Sequence, residues 1–318
     1  MQLFTKQKKS GWVALQASGT DTCVAHVIKP LETKSHSAKP VVIFGGVRPT
    51  NLKDDSATKN LLNDLSLANR HCLLLLAQGE YKLLHLEKPN VPANELKQAI
   101  SWKLKDMIDY PVEQATIDVI NIPANPNNSN RQSYVYAVVA KNELLSNYIQ
   151  RLKATSGSGL EVIDIPELAQ RNIAAFLEQK DRGLAMLSIN SAGGLLTFTS
   201  GGELYHARHI DIDTQQLQSE NSERKSNVFE RLSLEIQRSL DSFEREFSYI
   251  TTNRLVLAPF AGREDCYDFL KSYLNIQIDR FDLSDVFQFE NNVELGDLAM
   301  QANLLSVLGA ALREGESA

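Results

Sequence analysis

The sequence predicts a duplicated α/β fold, two halves that each open with a strand, a Gly/Ser turn and a second strand. The clearer copy is residues 183–208, GLAMLSINSAGGLLTFTSGGELYHAR. Apolar β-formers at 186–189, 195–199 and 204–208 alternate with turn-rich 191–194 and 200–202, the signature of a three-strand meander. A fainter copy opens the chain, with strands at 12–16 and 22–28 about a turn at 18–21. At 318 residues the chain is long enough for roughly two domains, and a repeated unit accounts for that length.

Composition narrows the function classes. With 43% hydrophobic and 23% charged residues this is an ordinary globular chain. Its net charge of -6, and the lack of a Lys/Arg stripe interleaved with aromatics, argue against a nucleic-acid binder. Cys23, Cys72 and Cys266 are odd in number, far apart and without metal spacing, so reduced buried thiols in the cytosol are expected. The opening MQLFTKQKKSG lacks the apolar centre of a signal peptide. The longest apolar runs, such as 72–77, fall far short of the ~20 residues of a spanning helix. Lys6, Lys8 and Lys9 are too few to mark a membrane-binding arm. The histidines (26, 36, 71, 85, 206 and 209) show no paired spacing on a helix face and no Ser or Cys partner pattern, so neither a metal site nor a triad is expected.

The remaining elements follow in order. Residues 32–40 form a polar loop and 41–45 (VVIFG) a short buried strand. A helix over 52–69 carries Leu61, Leu62, Leu65 and Leu67, with Asp54, Asp55 or Ser56 as N-cap. The runs 72–78 and 81–87 about Gly79 read as a strand pair. Pro92 opens a helix that runs to Asp109 and is stopped by Pro111; Leu96, Ile100, Leu104, Met107 and Ile108 share its apolar face. Trp102 lies almost opposite, either packed on a neighbouring element or exposed as an anchor for a partner. Strands at 116–122 and 133–140, separated by the Asn/Pro/Ser loop 123–132, complete a small α/β insert at about 80–141. Asn142 caps a helix over 143–155, 160–165 is a strand, and Pro166 starts a helix to 178. The first half is thus 1–180 and the second 181–318.

After the meander, 213–226 reads as a loose loop. The strongest helix is 227–248, in which Val228, Leu232, Ile236, Leu240, Phe243 and Phe247 recur every three or four residues. Its other face, with Glu230, Arg231, Arg238, Asp241, Glu244 and Arg245, is solvated. A strand at 254–258, a helix at 263–274, a strand at 276–281, an acidic loop at 282–294 and an Ala/Leu-rich helix at 298–313 close the chain.

Several of these segments resemble, in order, PilM-like type IV pilus assembly proteins. They are AISWKLKDMIDYPVEQATIDVINIP (99–123), AVVAKNELLSNYIQRL (137–152), EVIDIPELAQRN (161–172), LSLEIQRSLDSFEREF (232–247), RLVLA followed by a helix, and ANLLSVLGAALR (302–313). The resemblance covers nearly the whole chain. It implies an actin-like fold similar to the division protein FtsA: two α/β halves with a small α/β subdomain inserted in the first. It also implies a protein at the cytoplasmic face of the inner membrane. There PilM-like proteins bind the short cytoplasmic N-terminal tail of a bitopic, PilN-like membrane protein, with other assembly-platform proteins or the assembly motor as further partners. Many bind ATP between the halves.

The family's nucleotide site sets a chemical test. In actin-like folds the two opening turns face each other across a cleft, each of the form Asp-x-Gly-small-small. The glycine admits phosphate to backbone N–H groups, and the carboxylates hold Mg²⁺ or its waters. Here the first turn aligns as Leu15-Gln16-Ala17-Ser18-Gly19, with Gln16 for the aspartate and Ser18 for the first glycine. The second aligns as Leu187-Ser188-Ile189-Asn190-Ser191. Ser188 replaces the aspartate, Asn190 the glycine, and Leu195 the aspartate that often follows. The family's Ser-Gly-Gly-Gly becomes Ala258-Pro259-Phe260-Ala261, so Pro259 and Phe260 are expected to crowd the adenosine floor. Asp21 is expected in solvent, and Asp164 and Glu167 at a strand–helix junction as capping groups. With the acids gone, little remains to stabilise phosphoryl transfer. The expectation is a non-catalytic adaptor with no cofactor and no metal. The alternative is an ATP-binding or ATP-hydrolysing member of the same machinery, with a filament former third. Candidate partner contacts are Trp102, Tyr110 and the strand edge from Val41 to Phe44.

Overall fold

A computed structural model describes residues 9–30, 38–67, 70–125, 133–156, 160–290, 293 and 295–313. Most of the expected 32–40 and 123–132 loops lies outside them. The chain builds the same sheet twice. In the first half, β1 (Lys9–Ser18), β2 (Asp21–Ile28) and β3 (Val41–Arg48) form an antiparallel meander. Helix α1 (Asp55–Asp64), capped by the Asp54 carboxylate on Ala57 N, leads to β4 (Arg70–Leu75), which lies parallel to β1.

The chain then leaves this sheet. The strands on either side of Gly79, expected to pair, do not: β5 (Tyr81–Glu87) joins a separate sheet with β6 (Ala115–Asn121) and β7 (Tyr134–Lys141), in the order β5-β7-β6. This is the insert. Its helix α2 (Leu96–Leu104) is shorter than the periodicity suggested. Pro92 is followed by a 3₁₀ turn, and the helix ends before Met107, which is exposed. Leu96, Ile100 and Leu104 pack on Leu86, Val135, Ala137 and Val139 of the insert sheet. The sheet's opposite face carries Tyr136 against the second half, where its hydroxyl accepts from Ala207 N at 3.0 Å. Helix α3 (Asn142–Ser156) returns the chain to the first sheet, where β8 (Val162–Asp164) adds parallel to β4. Helix α4 (Pro166–Leu177) ends the half.

The second half repeats this order. Strands β9 (Gly183–Asn190), β10 (Gly193–Ser200) and β11 (Glu203–Ile210) form the meander, longer at each end than its apolar runs. The expected loose loop is instead two helices: α5 (Thr214–Leu217), closed by an Asp213/Gln216 capping box, and α6 (Ser222–Glu246), capped by Asn221. Then come β12 (Thr252–Leu257), parallel to β9, α7 (Arg263–Tyr273) and β13 (Gln277–Arg280), giving the order β11-β10-β9-β12-β13. The acidic loop contains α8 (Leu283–Val286) and β14 (Gln288–Phe289), which crosses back to pair with β3 at Val41 and Val42. Helix α9 (Leu298–Ala311) closes the fold.

The helices that end each half exchange sheets. Alternation sends Val13 and Leu15 of β1 to α1 and α3, and Ala14 to the opposite face, where Leu304, Leu305 and Leu308 of α9 pack. Helix α4 in turn lies on β9, β10 and β11. The layers therefore run α1/α3, first sheet, α4/α9, second sheet, α6/α7, and one apolar cluster spans the middle from Leu73 through Ala169 and Leu308 to Met186. Gly309 makes this possible. Its missing side chain lets α9 close on α4 at Ala169, and Asn172 Nδ2 donates to Gly309 O at 3.0 Å.

Candidate functional site

The duplicated topology sets the β1–β2 and β9–β10 turns facing each other across a cleft of about 380 Å³. Five of the seven positions read as a degenerate nucleotide site line it: Gln16, Ser18, Ser188, Asn190 and Leu195. The other two do not. Pro259 and Phe260 are buried, Phe260 wholly enclosed in the core between the second sheet and α6/α7, so the expected crowding of an adenosine floor is corrected. Phe260 follows β12 as an anchor of the second half.

The replacement side chains are largely committed to the protein. Ser188 Oγ donates to Gln170 Oε1 at 2.6 Å, while Gln170 Nε2 donates to Met186 O, Leu195 O and Thr197 Oγ1 at 2.9–3.2 Å. Asn190 Oδ1 accepts from Ala192 N at 2.8 Å and closes its own turn. Gln16 Nε2 reaches Leu76 O at 3.4 Å. No Asp, Glu, Lys or Arg is among the described residues lining the cleft. Burial, with Asp21 adding to it, pushes the Cys23 thiol up to about 11, so it faces the cleft as a neutral group.

One charged group stands just behind the wall. His209 lines the cleft, and its Nε2 lies 2.8 Å from Glu167 Oε1; Tyr81 donates to the other oxygen at 2.7 Å. Glu167 is wholly buried. Capping was expected of Glu167 and Asp164, and neither does it. The N-cap of α4 is Ile165, with no side-chain cap bond. Asp164 instead binds Ile165 N and Arg313, and burial holds its carboxyl above the usual range against those bonds.

A second cavity, of about 660 Å³, opens on the other side of the wall formed by Leu76–Ala77 and Ile165–Pro166. It runs between two strands that end their sheets, β6 and β8, with α3 along one side. Ile117, Val138, Leu145, Ile149 and Ile163 make it apolar, and the Lys97–Asp118 ion pair (2.7 Å) marks its rim. The partner candidates from the sequence line neither cavity. Trp102 is 63% exposed with Lys105 Nζ 4.0 Å from its ring centre, and Tyr110 lies under Lys141. The edge at Val41 is covered by β14, and Phe44 packs on His26 and Arg70. Asn303 and Ser306 of α9 do line the cleft, and the sequence reading passes over them; the signal is two polar residues three apart on a helix whose only other polar residue is Gln301.

Overlaid on solved structures, 95% of the chain matches 98% of a chain of the PilM-PilN type IV pilus biogenesis complex, with a TM-score of 0.69 at 17% identity. The fold is actin-like. Looser overlays cover the cytoplasmic domain of EpsL, an inner-membrane component of the Vibrio cholerae type II secretion system (TM-score 0.45, 16% identity, 94% of this chain and 95% of that), and a Bacteroides thetaiotaomicron protein described as having an actin-like ATPase fold (0.48, 12%, 91% and 96%). As a sequence, the chain matches no protein-family model and no curated protein. Among the described residues, no group of three or more His, Cys, Asp or Glu could hold a metal ion, and no helix is long and apolar enough to cross a membrane.

Proposed function

We propose that the chain is a non-catalytic adaptor of a type IV pilus assembly platform, of the kind MshI provides in the mannose-sensitive haemagglutinin pilus system. In this reading it sits at the cytoplasmic face of the inner membrane and holds the cytoplasmic N-terminal tail of a bitopic, PilN-like protein, leaving its remaining surface for other platform proteins or the assembly motor. The observation that carries the reading is a cleft lined by no Asp, Glu, Lys or Arg among the described residues. Phosphoryl transfer relies on metal-held phosphates and countercharge to stabilise its transition state, and the lining offers no carboxylate, lysine or arginine, while its one imidazole, His209, is engaged by Glu167. Partner binding is supported by the segment-by-segment resemblance and by the PilM-PilN complex on which the chain overlays.

The apolar groove between β6 and β8 is the docking place proposed. Both flanking strands present unpaired backbone to it, which suits an extended peptide that adds a strand and seats alternate side chains in the pocket. A fluorescent peptide carrying the cognate PilN-like tail tests this by anisotropy. Binding is expected, and Ile117→Asp and Ile149→Asp, both at half-buried positions, are expected to weaken it at least about tenfold while the melting temperature holds. Millimolar Mg-ATP is expected to leave the melting temperature unchanged, because a ligand held by the folded state must raise it. A tail that does not bind, or measurable ATP hydrolysis, overturns the reading.

A further inference from the structure

Helix α9 lies between two sheets and is apolar on almost every side, as that position requires. Its polar residues are Gln301, Asn303 and Ser306. Asn303 and Ser306, three residues apart and half-buried, both face the cleft. Among the described residues neither side chain has a hydrogen-bond partner in the protein, and the same holds for Ser18 across the cleft. These groups are half-buried and open to the cleft rather than sealed in the core, so they are free to bond to whatever enters it. Asn190 keeps its amide N–H₂ free, since only its oxygen is engaged, and the Ser188 oxygen can still accept. The volume of about 380 Å³ falls in the range of small-molecule sites. No Asp, Glu, Lys or Arg lines it, and its one imidazole, His209, is already engaged by the Glu167 carboxylate, so an anion would shed its water with little to replace it.

We propose that the cleft binds a small, uncharged polyhydroxyl ligand, with Asn303 and Ser306 of α9 and Ser18 and Asn190 of the two turns as its hydrogen-bonding groups. This rests on the cleft without carboxylates, lysines or arginines of the adaptor reading and not on tail docking. The test is saturation-transfer NMR and thermal shift on the full chain, with glucose, myo-inositol and adenosine as probes and glucose 6-phosphate and Mg-ATP as their charged counterparts. At least one neutral probe is expected to bind, and its phosphorylated form to bind at least tenfold more weakly. A response to glucose or myo-inositol assigns a carbohydrate, and one to adenosine a nucleoside. Ser306→Ala and Asn303→Leu are expected to weaken binding about 3–10-fold. Should Asn303→Leu fail to fold, Ser306→Ala decides. Silence from all three neutral probes, equal or better binding of the phosphorylated forms, or unchanged affinity in the folded variants overturns the proposal. Tail binding, titrated on the same samples, separates that failure from failure of the adaptor reading.

Discussion

Replacing Gly309 by alanine tests the junction on which the whole arrangement is built. A Cβ at this position would lie 2.2 Å from the Ala169 carbonyl oxygen, 2.8 Å from its carbon and 3.1 Å from Ile173 Cδ1. The obstructing atoms are backbone inside α4, so they cannot swing aside, and the helices must part by about 1 Å to restore contact distance. Two effects oppose each other. Alanine gains about 1 kcal/mol of helix propensity over glycine. Overpacking costs about 1–3 kcal/mol, and here the separated helices form the middle layer, so contacts are lost against both sheets and the Asn172–Gly309 bond is strained as well. The clash wins, with a net loss of about 1–3 kcal/mol and a fall in melting temperature of roughly 2–5 °C. Differential scanning calorimetry of Gly309→Ala against the wild type reads this directly. A melting temperature within a degree of wild type, or above it, would show that propensity dominates and that α4 and α9 are not tightly apposed.

Two further outcomes follow from buried polar groups. His206 packs edge-on to Phe198, and burial, with His85 and Arg208 nearby, holds its imidazole down at about 4. An unfolded histidine takes up its proton near pH 6.5, so the stability present above that pH is lost progressively between 6.5 and about 4, by about 3 kcal/mol. His206→Gln should flatten this limb of the pH–stability curve, and an unaltered curve would show that other groups produce it. Gln170→Leu removes the partner of Ser188, Thr197 and two main-chain carbonyls at once. A loss of about 2–4 kcal/mol is expected, read as a lower urea midpoint; an unchanged midpoint refutes a structural role for the network.

Elements whose burial is periodic were legible in the sequence. The α6 stripe lies in the core from Val228 to Phe247, Leu240 half-buried, because a long amphipathic helix has only one way to hide its apolar face. Both opening hairpins were legible too, since Gly and Ser clusters mark their turns. The misses have physical reasons. Helices α5 and α8 are four residues each, too short to show a period, and rest on capping boxes at Asp213 and Asp282. Gly79 reads as a hairpin turn, yet the chain uses it to pass from one sheet to another, which only pairing partners reveal. Phe260 was assigned to the cleft by alignment, but its lack of polarity, read alone, would have placed it in the core, where it is. That α4 and α9 exchange sheets left no mark in either helix, because each is apolar enough to suit both faces.

The cleft's chemistry and its mechanics belong together. A hinged nucleotide site must leave its wall residues free, since they change partners as the lobes close. Here the wall is tied across the lobes. Ser188 of the second sheet is bonded to Gln170 of α4, and His209 of β11 to Glu167, whose other oxygen holds Tyr81 at the start of the insert. The insert reaches over as well, with Tyr136 accepting from Ala207 N and Tyr249 of the second half donating to Pro123 O. To open, the cleft would strand the buried Glu167 carboxylate without its partners, and leaving a buried charge unpaired costs several kcal/mol. The neutral residues Ser188 and Asn190 thus bond to their own scaffold. The bonds that engage the wall residues Ser188 and His209 also join the walls of the cleft, beside the β6–β8 groove.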